Sequence, residues 1–173
     1  GGPKLARFWF SDWKLSGDKV KARPDLAFGP ILYAMHTLSR GTLNLTAQMP
    51  PLGANESKKL RLDTKYEKGL WKETAKAEIN PLSRTATFRV EKWDDKRDIA
   101  YRIAFQDIKR DGSVKEKYFD GIIRKDPKEK KEIVVAGFTG NKDTAFPNSK
   151  LVKNVGIVNP DVLFFSGDQI YED

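Results

Sequence analysis

The apolar residues of this chain change their period once, and the change falls on a charged connector. Before it, Leu43, Leu45, Ala47 and Met49 alternate with Asn44, Thr46 and Gln48. Ala86, Phe88 and Val90 then alternate with Thr85, Thr87 and Arg89, and Tyr101, Ile103 and Phe105 with Arg102 and Gln106. A period of two puts apolar side chains on one face of a strand and polar ones on the other. After the connector, the stretch from Glu132 to Asn141 and the run Val162-Leu163-Phe164-Phe165 are apolar almost throughout. That is the pattern of strands covered on both faces of a parallel sheet. The connector itself, Arg124-Lys-Asp-Pro-Lys-Glu-Lys-Lys131, carries a proline and divides the two patterns.

The alternating part predicts an antiparallel β domain over residues 41–130. Further strand candidates are Lys59 to Thr64, Leu70 to Ile79 and Tyr118 to Arg124, with turns at Pro50-Pro51-Leu52-Gly53, Asn80-Pro81 and Asp111-Gly112. About six strands with one polar face suggest a sandwich. Residues 1–40 read as an N-terminal arm packed on it. Phe8, Trp9, Phe10 and Trp13 form an aromatic cluster there, read as core rather than as a sugar-stacking platform, and Pro30 to Leu38 fits a short helix or a strand.

Residues 131–173 read as the start of a second, α/β domain. Leu151, Val155 and Val158 fall on one helical face, Pro147 suits a first helical turn, and Asn159-Pro160 would stop the helix. Strand, helix and strand have the length of a parallel crossover. Both strands then end at the same sheet edge, which brings Asn141 and Asp168 together, and in open α/β sheets that edge is where ligands sit. Gly167 allows the sharp turn by which Asp168 emerges. Asp168 and Tyr171, three residues apart, can bring two oxygens to one hard cation. The alternative is an ordinary turn aspartate and a core tyrosine.

The run Gly167-Asp-Gln-Ile-Tyr171-Glu resembles the Gly-Asp-x-x-Tyr element of the metallophosphoesterases and is most similar to the alkaline phosphatase D family. Thr139-Gly-Asn-Lys-Asp143 with Phe146-Pro-Asn148 resembles a subgroup of that family. The resemblance implies an immunoglobulin-like or fibronectin-like β-sandwich followed by the first β-α-β unit of an α/β metallophosphoesterase domain. It implies hydrolysis of phosphate mono- or diesters by two metal ions, with Asp168 bridging them and Tyr171 on the more Lewis-acidic one. A phenolate ligand favours trivalent iron, with calcium, zinc or manganese as its companion. At the first strand's end, where the family places an aspartate and a histidine or a cysteine, this chain has Thr139-Gly140-Asn141. Asn141 is carried over as a ligand candidate, with loop capping as its other reading and Asp143 as an alternative carboxylate. The resemblance also implies export to the periplasm or the cell exterior, although no leader is visible in the sequence.

The family's remaining ligands lie downstream and are not in this sequence. Two apolar strands and one helix cannot cover both faces of a parallel sheet. Val134, Val135, Leu163, Phe164 and Phe165 are therefore expected to face water in the free chain. The expected partner is the remainder of the phosphoesterase domain, as a second chain, a longer precursor or a nicked half, and the 173 residues are not expected to be competent alone.

Composition narrows the alternatives. The chain has no cysteine, which excludes disulfides and thiolate metal sites, and no run of 18 apolar residues, so no membrane span is expected. Its net charge of +8 is uneven: three lysines face six acids from Glu132 onward, leaving 29 bases and 18 acids before it. Those bases are interspersed with acids, as in Lys65-Tyr-Glu-Lys-Gly69, so a solvated surface is favoured over nucleic-acid binding. The rival function is a non-catalytic β-sandwich module that binds a polyanion or carbohydrate, with the C-terminal strands completing its core. Asn44-Leu-Thr46 and Asn55-Glu-Ser57 match glycosylation acceptors. His36, the single histidine, is expected to have a structural hydrogen-bonding role.

Overall fold

The computed structural model describes residues 14–21, 29–108, 111–141 and 146–168. The aromatic cluster at Phe8, Trp9, Phe10 and Trp13 lies outside the described residues, as do Asp143 and Tyr171. The described chain is mainly β, with strands β1 (Tyr33–Ser39), β2 (Thr42–Gln48), β3 (Lys59–Lys65), β4 (Lys72–Glu78), β5 (Thr85–Val90), β6 (Ile99–Ile108) and β7 (Val114–Ile123). They form two antiparallel sheets in the orders β1-β2-β5 and β4-β3-β6-β7.

The predicted alternation is what joins them. Leu43, Leu45 and Ala47 of β2 are fully buried and stand in register with Val90, Phe88 and Ala86 of β5. Across the core, Leu60 and Leu62 of β3 oppose Phe105 and Ile103 of β6. These side chains share one apolar cluster with Ile31, Met49, Trp93, Ile99, Tyr101 and Ile123. Two sheets facing each other across a common core make the arrangement of a β-sandwich. Each large apolar side chain buried there contributes about 1.5–3 kcal/mol from its removal from water.

The strand Tyr33–Ser39 lies ahead of residue 41, where the sandwich was expected to begin, and it pairs with β2 along its whole length, from Tyr33↔Gln48 to Ser39↔Thr42. Pro30 to Leu38 had left helix and strand open because only Ala34 and Leu38 of β1 pack against the core. Pairing across the edge, rather than periodicity, makes this segment a strand.

Beyond the sandwich, a short 3₁₀ turn at Pro127–Glu129 leads to β8 (Val135–Phe138), α1 (Ser149–Val158) and β9 (Val162–Phe165). β8 and β9 pair in parallel, Val135↔Val162 through Phe138↔Phe165. The rings of Phe138 and Phe165 stack with centroids 5.0 Å apart. The helix starts later than the sequence suggested. Asn148 caps it in a left-handed conformation (φ 53°), so Pro147 stands outside the first turn, and Asn159 closes it in a second left-handed conformation (φ 52°).

No described residue after Ile123 belongs to the sandwich core or packs against it. α1 and β9 contain no buried residue. The C-terminal strands therefore do not complete the sandwich core. As expected, Val134, Val135, Leu163, Phe164 and Phe165 are all exposed, from 42% to 58%.

The unit is tied to the connector by polar contacts. Arg124 Nη1 donates to Asn159 Oδ1 (3.1 Å) and to the Pro160 carbonyl (2.8 Å). Lys130 Nζ donates to Asp161 Oδ1 at 2.6 Å, and the Val134 N–H to Asp161 Oδ2 at 3.1 Å. No described helix is long and apolar enough to cross a membrane.

Candidate functional site

The tips of β8 and β9 converge through backbone bonds that continue past the strands themselves. The Ser166 N–H and Oγ both donate to the Phe138 carbonyl, at 3.0 and 3.1 Å. Two to three residues further on, the Asn141 N–H donates to the Asp168 carbonyl at 2.8 Å. Gly167 has φ 108°, open to glycine, and Asp168 follows with φ 54° in the left-handed region. Aspartate tolerates that region better than most residues, and backbone held there in a non-glycine residue is enriched at functional sites. Asn141 and Asp168, 27 positions apart, are thus neighbours, as the crossover reading expected.

The loop before α1 adds a residue that sequence reasoning quoted without giving it a role. Asn148 Nδ2 donates to Asn141 Oδ1 at 3.1 Å. An asparagine directly ahead of a helix usually caps it with its own side chain. Here the side chain makes no capping bond, and only the Asn148 carbonyl serves the helix, accepting from the Val152 N–H at 3.0 Å. With Pro147 expected in the first helical turn, Asn148 fell inside the helix, and nothing local signalled its bond to Asn141.

As a metal centre the described residues fit in kind and fall short in number. Asn141 and Asp168 offer oxygen donors, which suit hard cations. Among the described residues, no group of three or more histidine, cysteine, aspartate or glutamate side chains could hold a metal ion. Tyr171, the third candidate, lies outside the described residues. Asp168 is exposed.

His36 is on the edge strand β1, opposite Leu45, and no described side-chain hydrogen bond involves it. Of the two glycosylation triplets, Asn55 is exposed in a turn, whereas Asn44 sits in the central strand β2 and accepts from Arg89 Nη1 at 3.4 Å.

A second polar constellation lies on the outward face of β3, β6 and β7, and sequence reasoning missed it. The Asp63 carboxylate accepts from Arg61 Nε at 2.8 Å and from Arg102 Nε at 2.9 Å. Arg61 also forks onto Glu116, with Nη1 to Oε1 at 2.7 Å and Nη2 to Oε2 at 3.2 Å. The Arg102 guanidinium lies between two rings, 4.7 Å from the centre of Trp71 and 4.4 Å from that of Tyr118. Burial pushes the Asp63 carboxyl up, but the bonds from Arg61 and Arg102 outweigh it and leave it below the usual range. Glu116 is likewise depressed, by Arg61 first and Tyr118 second. Its main charged groups pair with one another across three strands, which makes this face a brace for the sheet rather than a reactive site.

Comparison of the chain with protein families, with characterised proteins and with solved structures gives no match.

Proposed function

We propose that this chain is the N-terminal part of a metal-dependent phosphoesterase similar to the alkaline phosphatase D family. The observation that carries the reading is the backbone bond from Asn141 to Asp168, which joins the ends of two parallel strands connected by a helix. In open α/β sheets ligands bind outside the carboxyl ends of the strands, the edge that this bond closes. In this reading Asp168, Tyr171 and Asn141 hold the metal ions, iron paired with calcium, zinc or manganese. The metals would supply an activated water and neutralise charge on the phosphoryl oxygens.

The sandwich supports the same reading at the level of architecture. Its strand orders, β1-β2-β5 and β4-β3-β6-β7, suit a fibronectin-like module ahead of the second domain. The apolar surface on β8 and β9 supports a partner: further polypeptide of the phosphoesterase domain that extends the short sheet and covers its faces. Catalysis then requires that partner, and the substrate is a phosphate ester.

The test uses native material together with whatever polypeptide accompanies it. Hydrolysis of p-nitrophenyl phosphate should be lost with a chelator and with Asp168→Ala. Activity that survives Asp168→Ala, or native protein that contains no metal, overturns the reading.

A further inference from the structure

Resting on the phosphoesterase reading, we infer that Asn148 is a positioning residue that orients the Asn141 amide toward the cation held at the tips of β8 and β9. Three observations converge on it. The left-handed backbone of Asn148 (φ 53°, ψ 30°) is not the β-region conformation of a side-chain cap, and its amide makes no bond to the helix that it precedes. Its amide instead donates to Asn141 Oδ1 at 3.1 Å, in a partly buried setting. And Asn141 is held at its backbone by Asp168, so fixing its side chain completes the definition of the residue.

The chemistry favours a role toward a cation. A carboxamide oxygen has two lone pairs, so a hydrogen bond from Asn148 and a metal ion are compatible on the same atom. With the Nδ2 of Asn148 on Oδ1, the Asn141 amide turns over only if the Asn148 amide turns with it. Residues that hold metal ligands in this way commonly change affinity about 10–100-fold when removed.

The left-handed backbone of Asn148 (φ 53°) dictates the variant. Asn148→Gly keeps that conformation and deletes only the amide. Mn²⁺ binding is followed by the electron paramagnetic resonance of the free ion, on metal-depleted native material together with the polypeptide that accompanies it, for the wild type, Asp168→Ala and Asn148→Gly. In parallel, the NMR signals of the Asn141 side-chain NH2 are recorded without metal. The expected result is binding by the wild type, its loss in Asp168→Ala, and a 10–100-fold weakening in Asn148→Gly with motional averaging of the Asn141 amide signals. If Asn148→Gly binds as the wild type does while Asp168→Ala does not, the metal site stands and the positioning role is wrong. If the wild type binds no Mn²⁺, or Asp168→Ala binds it unchanged, the phosphoesterase reading fails and takes the role of Asn148 with it.

Discussion

Arg102 donates from Nε to Asp63 Oδ2 at 2.9 Å, across the β3–β6 pair, and holds a carboxylate that is only 2% exposed although it belongs to the outward row of β3. A buried charge on a polar face is stable only when it is paired and hydrogen-bonded, and Arg61 supplies the second partner. Asp63→Ala is expected to cost about 1–3 kcal/mol, as for hydrogen bonds to charged groups, because it leaves both guanidinium groups without their shared acceptor. Urea unfolding of the variant measures this.

Acid should act through the same carboxylate. Asp63 and Glu116 have folded pKa values below their unfolded ones, so each stabilises the fold above the unfolded value. That stability is lost as pH falls through the folded pKa, in a window below about pH 4. Asp63→Asn should therefore be less stable at neutral pH and lose less on acidification. An equal loss in wild type and variant between about pH 4 and pH 2 contradicts the assignment.

Gly121 faces Tyr101 in the β6–β7 register, and a Cβ there would stand 2.5–2.6 Å from the tyrosine ring and hydroxyl. Gly121→Ala is expected to destabilise by about 1–3 kcal/mol through overpacking. In a Tyr101→Ala background the added methyl should cost far less, and a double-mutant cycle would show the coupling.

Asp161 links the connector to the head of the parallel unit. Its carboxyl lies below the usual range, first through Lys130 and then through the Val134 N–H. Asp161→Ala should leave the sandwich melting transition in place, while hydrogen exchange quickens at Val134 and proteolysis increases between residues 125 and 134. Unchanged protection at Val134 would rule out the staple.

The exposed apolar surface gives a further expectation. The chain alone should bind a hydrophobic dye such as anilinonaphthalene sulfonate in its folded state, and Leu163→Ser with Phe164→Ser should reduce that binding. A dye-silent, cooperative monomer would argue against any missing cover for β8 and β9.

Much of this architecture could be read from residues in order. β2, β3, β5 and β6 fall within a residue or two of their predicted bounds, because a period of two in apolar residues has one face to bury. The crossover was equally legible: two apolar runs flank one helical stripe, and the chain has little other way to satisfy both. Those patterns also predicted that residues 141 and 168 meet.

Other features depend on partners distant in sequence. Asp63 reads as a surface aspartate until Arg102, 39 positions later, closes over it. Asn148, placed inside the helix when Pro147 is read as its first turn, has no role until its amide is seen on Asn141. β1 carries too few buried positions to declare itself, and only its ladder to β2 makes it a strand. Hydrophobic periodicity is a local property, so the strands and the helix that carry it were determined by sequence alone. The choice of partner for a charge, an amide or an edge strand is made by groups that only the folded sheets bring within hydrogen-bonding range, so tertiary structure decided it.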